Sequence, residues 1–215
     1  MKRLLFVVPF LILTFAASAQ SNRGNYEVIG RYLRIDPQGS TRFDEPSSLF
    51  RKKSGSGFGV EANVYVARSL SIDAGVGQAD TRAWLDLGSG AAVIPLGSLQ
   101  LRPITLAAQW HLAPRASFDL YAGAGAMYLM SGSFHDEALT DLGITRLDID
   151  NKFAPMANAG VIYGITPSIA IDFDAKYSKI KASAHSRSAA GADTSEAFDV
   201  RLDPLVYSAG VRFRF

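Results

Sequence analysis

Any chemistry in this chain would have to start from its three histidines, because there is no cysteine. That removes catalytic thiols, thiolate metal sites and any disulfide framework. A hydrolase or acyltransferase would set a histidine beside a serine or a carboxylate. His135 precedes Asp136 and Glu137, and His185 lies between Ser183 and Ser186. Serines and acids are commonplace in polar connections, however. His111 lies in the run Gln109-Trp110-His111-Leu112 and sits apart from the other two. Three histidines so scattered give no metal-ligand spacing. Gly123-Ala124-Gly125 lacks a third glycine and falls inside a strand pattern, so it is no phosphate loop. No cofactor, no metal and no chemical step are expected.

A second set of polar residues is spaced more regularly. Glu61 and Asn63, Gln109 and His111, Asp172 with Asp174 and Lys176, and Arg212 with Arg214 stand two apart, with apolar residues between them. Glu27, Arg31, Asp119 and Asn158 lie in similar surroundings. Residues two apart share one face of a strand. Charges gathered on an enclosed face must pair, since an unpaired ion away from water costs several kcal/mol. Such residues would form a plug of ion pairs rather than a reaction centre.

The elements that must carry them are strands. Phe58, Val60, Ala62, Val64 and Val66 alternate with small or polar residues. The same period runs from Ile169 to Tyr177 and from Leu205 to Phe215. A soluble sandwich and a membrane barrel share this period but bury opposite faces. Strand length, connections and the chain end favour the barrel. The runs reach the ~9–11 residues that a tilted membrane strand needs. Tight turns at Ala67–Leu70, Ala113–Ala116 and Ile165–Ser168 alternate with longer polar stretches near 38–56, 85–97, 131–150 and 184–197. The segments number eight, near 26–36, 57–67, 70–83, 98–112, 117–130, 151–165, 168–183 and 199–215, with both ends on the periplasmic side. The expected fold is an all-β, eight-stranded antiparallel transmembrane barrel of outer-membrane type, in one domain over residues 20–215. Phe215, an aromatic finishing an alternating strand, would be the mark read by the barrel-assembly machinery.

Residues 1–19 read as a cleaved signal peptide. Lys2 and Arg3 precede an apolar run from Leu4 to Phe15, and Ala17-Ser18-Ala19 offers small residues for cleavage. The run is shorter than the ~20 apolar residues of a spanning helix. Loss of Lys2 and Arg3 takes the basic count from 22 to 20, equal to the 20 acidic residues. A neutral chain points to no nucleic-acid partner.

Gly75, Gly77, Gly123, Gly125 and Gly160 lie inside strand patterns, where they could leave room for bulky neighbours or mark bulges. Arg42, Arg51, Lys52 and Lys53 could meet lipopolysaccharide phosphates or simply solvate a loop. The apolar stretch Ala91–Leu96 in an outer connection favours uptake of an apolar solute over adhesion.

Specific motifs follow at the fourth and fifth strands: Pro103-Ile104-Thr105-Leu106, then Gln109-Trp110-His111-Leu112, then Tyr121-Ala122-Gly123-Ala124-Gly125. With Asp36-Pro37 and the ending Asp203-Pro204 to Phe215, the chain resembles the OmpW/AlkL family of outer-membrane proteins. Ile104 stands where the family has a second proline, and Leu112 where phenylalanine is commoner. The family's gate residues find no counterparts in 131–150 or 184–197. The resemblance implies a hydrophobic channel for small apolar molecules with a lateral opening. The reading is a monomeric barrel in the outer-membrane lipid and lipopolysaccharide that passes or binds a small hydrophobic solute. Glu61, His111, Asp119, Asp172, Asp174, Lys176, Arg212 and Arg214 are expected in a charged plug, and Met127, Leu129 and Met156 in an apolar chamber. Pro155 and Gly125 are expected to weaken the wall. The alternative is a non-transporting surface barrel, and a lipid-acting barrel enzyme stands third.

Overall fold

Strands in this chain put apolar side chains on one face and small or polar ones on the other, so closing the sheet must choose which face goes inside. The computed structural model describes residues 25–38, 41–42, 49–86, 93–134, 144–188 and 193–215. The signal-peptide reading falls outside these residues, as do His135, Asp136, Glu137, Ala91 and Ala92. In chain order the strands are β1 (Tyr26–Pro37), β2 (Thr41–Arg42), β3 (Leu49–Lys52), β4 (Gly55–Ala67), β5 (Leu70–Asp86), β6 (Val93–His111) and β7 (Phe118–Ser131). There follow β8 (Ser133–Phe134), β9 (Ile144–Ile149), β10 (Lys152–Gly164), β11 (Ile169–Ser178), β12 (Lys181–Ser188), β13 (Asp193–Arg201) and β14 (Pro204–Arg214).

Eight of them form a closed antiparallel ring, β1-β4-β5-β6-β7-β10-β11-β14, which β14 completes by pairing back to β1 from Glu27↔Arg214 to Pro37↔Pro204. Closure leaves no open edge, the condition for a sheet in hydrocarbon. The burial sense is that of a membrane barrel. Phe58, Leu106, Trp110, Phe153, Tyr163 and Phe173 face outward, while Arg31, Asp73, His111, Asp172 and Arg212 are buried. A water-soluble sandwich would have these faces exchanged.

One end of the barrel, the turn end, holds the short connections Arg68–Ser69, Leu112–Ser117 and Ile165–Ser168. Both ends of the described chain meet there, where Phe215 N–H donates to Tyr26 O at 3.0 Å. The opposite, loop end differs from the sequence expectation. The stretches near 38–56, 85–97, 131–150 and 184–197 are not irregular throughout. β5 and β6 stay paired out to Asp86↔Val93, β3 adds to β5, and β2 adds to β3. β8, β9, β12 and β13 form a separate four-stranded sheet.

Two strand boundaries are corrected with it. The segment expected at 168–183 breaks at Lys179-Ile180, and the one expected at 199–215 starts at Pro204. Ile180 N–H donates to Asp203 Oδ1 at 3.0 Å and Leu202 N–H to Ile180 O at 2.9 Å. These bonds clamp the two chains together as they leave the barrel for the outer sheet. Asp203 takes φ 34° to make the bend, just ahead of a proline that cannot continue the ladder. Period two runs on through both breaks, so it could not reveal them.

Candidate functional site

The lumen is divided along its axis. Toward the turn end, β1 presents Glu27 and Arg31, β4 presents Glu61 and Asn63, β11 presents Asp172, Asp174 and Lys176, and β14 presents Ser208 and Arg212, all buried. Asp172 is the hub. Its Oδ2 accepts from Arg212 through both Nε (3.0 Å) and Nη2, and its Oδ1 accepts from Arg31 Nη1 at 2.6 Å and from Tyr121 OH at 3.2 Å. Glu27 takes the other arm of Arg212, Arg214 Nε at 3.1 Å and Asn63 Nδ2 at 2.9 Å. Glu61 lies between Arg31 Nε at 2.7 Å and Lys176 Nζ at 2.9 Å. Lys176 also reaches Asp174 at 2.5 Å, and Asp174 accepts from Tyr121 OH at 2.9 Å. Five strands are thus tied through one network. Each buried charge in it has an opposite partner, as a dry interior requires.

Glycine makes room for the network. A Cβ at Gly160 would land on the Tyr121 ring, and one at Gly75 would lie 2.7 Å from Glu61 Cγ. Neither position carries a shift in register, so these are close approaches and not bulges.

His111 belongs to a neighbouring group. Its Nδ1 is 2.7 Å from Asp119 Oδ2 and its Nε2 is 3.0 Å from Ser71 Oγ. This is the order of a nucleophile, a base and an acid. All three side chains are fully buried, and the rings of Tyr65 and Tyr121 lie 4.9 and 5.3 Å from the imidazole. No ester can reach Ser71 Oγ in this arrangement. Asp119 also accepts the Ala113 N–H at 2.9 Å, so the trio pins the β6–β7 turn to β5. His185 lies on β12 in the outer sheet, away from this group.

Sequence reasoning missed Tyr65, Ser71, Asp73 and Tyr121. Ser71 and Asp73 had a signal: with Gly75 they repeat the two-apart spacing used elsewhere. Tyr121 was noted in a motif but not as an acceptor-seeking hydroxyl inside the lumen.

Toward the loop end the inward residues are apolar. Met127, Leu129 and Met156 are buried in one cluster with Leu33, Ile35, Leu101, Ile149 and Ile180. A cavity of about 20 Å³ lies between this cluster and the network, lined by Leu33, Glu61, Thr105, Met127, Lys176 and Val206. It has room for about one water. The side chains fill the upper lumen, so a solute could occupy it only by displacing them.

The wall beside this cluster has a seam. Gly164 N–H donates to Ser117 O on the β7 side, so even-numbered residues of β10 turn their backbone groups to β7 and odd-numbered ones to β11. Pro155 is odd-numbered and has no N–H, so it cannot continue the ladder past Met156↔Ser178. Its carbonyl accepts the Ser178 hydroxyl at 2.8 Å instead. Pairing resumes only at Asp150 N–H to Ser183 O, 3.0 Å, leaving 151–155 and 179–182 unpaired with each other among the described residues. Ala154, Ile180 and Ala182 point inward along the seam, while Phe153 and Pro155 face out. The other edge of β10 is intact: Pro155 stands opposite Ala126 and Met156 opposite Gly125 in an unbroken ladder to β7. The ladder of β10 is therefore interrupted at Pro155 on the β11 side and not at Gly125 on the β7 side.

A model of the OmpW family matches residues 44–215. The chain belongs to the OmpW family. This OmpW-family barrel superposes on the crystal structure of OprG from Pseudomonas aeruginosa with a TM-score of 0.77 at 16% identity, covering 90% of this chain and 96% of that one. AlkL, solved by solid-state NMR in lipid bilayers, gives 0.62 at 18% identity over 90% and 91% of the two chains. Escherichia coli outer membrane protein W gives 0.52 at 19% over 90% and 98%. These likenesses are of fold. A curated relative, an uncharacterized outer-membrane protein of Sinorhizobium fredii named y4mB, is 29% identical over 126 residues, 59% of this chain and 52% of its own length. The match spans about half of that relative.

Proposed function

We propose that this outer-membrane barrel binds small hydrophobic molecules in its apolar upper lumen and releases them sideways through the β10 seam. In this reading the turn end faces the periplasm, and residues 1–19 are the export signal. The observation that carries it is the coincidence of three features at one height. An ionic network closes the lumen below, an apolar cluster lies above, and the break in the β10–β11 pairing stands beside that cluster, as does a shorter gap in the β5–β6 ladder at Gly77–Gln78. A neutral apolar chain gains nothing by entering the network, whose charges already satisfy one another. It gains ~25 cal/mol per Å² buried among Met127, Leu129 and Met156. Two of these are methionines, whose unbranched thioethers repack at low cost. Small side chains at Ala154 and Ala182 leave the inner side of the seam lightly filled.

The test is titration of the folded barrel in detergent with a fluorescent fatty acid. Met127→Asp and Leu129→Asp set a charge into the dry cluster at a cost of a few kcal/mol. Both should weaken binding at least tenfold, while circular dichroism still reports sheet. Folded aspartate variants that bind like the parent would remove the site from this cluster. A parent that binds no fatty acid or alkane probe would end the transport reading altogether.

A further inference from the structure

Of the carboxylates buried in the lumen, Glu27, Glu61, Asp119, Asp172 and Asp174 each face an arginine, a lysine or a histidine. Asp73 does not. It is fully buried on β5, and both its oxygens lack a hydrogen-bond partner. Nor is it alone in this. Asn63 stands directly opposite Asp73 on β4, and its Nδ2 is committed to Glu27 while its Oδ1 is free. On the other side, Gln109 of β6 lies one diagonal from Asp73, whose direct partner is Ala107, and both ends of its amide are free. Asn158 repeats the pattern: Nδ2 goes to Asp174 at 3.3 Å and Oδ1 is free. A Cβ at Gly123 would lie 2.5 Å from Asn158 Oδ1 and 3.0 Å from Gln109 Cγ, so those two side chains converge over the same bare backbone.

All four side chains are at least nine-tenths buried and point into the lumen. Their unused atoms are strongly one-sided: five oxygens that only accept, against a single amide nitrogen that donates. Natural interiors satisfy buried polar atoms, and a gathering of unsatisfied ones marks something that completes them. Water can complete some of these acceptors, but it brings no charge to Asp73, and the cations that act on it from farther off, Lys176, Arg31 and Arg212, are each in contact with other carboxylates. The group that answers both needs is a cation.

We propose that Asp73, with the side-chain oxygens of Asn63, Gln109 and Asn158, holds a monovalent alkali cation and its residual water inside the barrel. The donor set is all oxygen, which suits a hard cation. Only one of the four ligands is charged, so a single positive charge balances the site. A divalent ion would leave surplus positive charge beside Arg31 and Lys176, which flank Glu61 on the next strand. The amide orientations agree, since both asparagines turn their nitrogens to carboxylates of the ionic network and leave their oxygens without a partner. The site is independent of the solute-binding reading.

The experiment compares the folded barrel in sodium chloride and in choline chloride at equal ionic strength. The readout is the temperature at which the folded band is lost on a denaturing gel. A cation that binds only the closed barrel should raise that temperature by roughly 5–10 °C at saturation. Asp73→Asn keeps the shape of the side chain and removes its charge, and should abolish the difference between the salts. Crystals of the parent soaked in thallium(I) acetate give a check that needs no variant, with an anomalous peak expected among the four side chains. Equal midpoints in both salts together with no thallium peak would overturn the proposal and leave Asp73 to a proton. A peak elsewhere in the lumen, or a salt effect that survives in Asp73→Asn, would overturn it too.

Discussion

The two halves of this lumen are enclosed by the same eight strands and solve the same packing problem with opposite means. Below, Asp172 gathers Arg31, Arg212 and Tyr121 from three other strands. Above, Met127, Leu129 and Met156 meet Leu33 and Leu101 through contact alone. An ionic interior is specific and brittle, because removing one partner strands the other. An apolar interior is tolerant, because its members can slide and repack. A barrel that must stay shut at one level and yield at another gains from having both. The seam at Pro155 lies beside the tolerant half, and the network ties the wall where no seam occurs.

The sharpest way to break this contrast is Arg212→Met, which removes one cation from between Glu27 and Asp172. Breaking a buried pair costs about 3–5 kcal/mol, so the urea midpoint of refolding into detergent or lipid should fall steeply. A variant that folds as well as the parent would mean the network does not hold the lower lumen. Leu129→Ala is the matching change above. It should cost about 2–5 kcal/mol if the cluster is rigid, with the lower part of that range expected because the methionines can close in. A loss equal to that of Arg212→Met would erase the distinction between the halves. The next step is smaller. Ser71→Ala takes one hydrogen bond from His111, and about 0.5–1.5 kcal/mol of stability should go with it. Pro155→Ala returns the missing N–H to β10 and should stabilise the wall by a similar amount. Release of bound fatty acid, followed by stopped-flow fluorescence, should slow in Pro155→Ala while equilibrium affinity stays near that of the parent. Unchanged release would place the exit elsewhere. Lys53→Ala, exposed and far from both halves, should stay within about 0.5 kcal/mol and serves as the baseline.

The closed barrel was legible because period two, strand length and alternating connection lengths are all local properties of the chain. Once one strand's inward face was chosen, alternation carried the choice to Glu61, Asp174 and Arg212 without knowledge of their partners. The pairings themselves were not legible: Arg31 meets Asp172 across 141 residues, and only register brings them together. The strands in the outer connections were missed because residues 144–149 and 193–201 alternate weakly and read as polar loop. The seam was half-visible. Pro155 was identifiable as a defect, but which of its two neighbours lost a bond depends on the parity fixed by Gly164 and Ser117.

The network also has a bearing on how the barrel is made. The join between the two strands farthest apart in sequence is β1 against β14, and the charges sit on both sides of it: Glu27 and Arg31 on the first strand, Arg212 and Arg214 on the last. Until the ends meet, each is an open edge carrying inward charges, a pattern that discourages pairing with a stranger chain. The two edges are also matched in sign, the acid of the first opposite the bases of the last. The ionic plug is therefore the clasp of the barrel as well as its floor, and it becomes neutral only when the chain has found its own beginning.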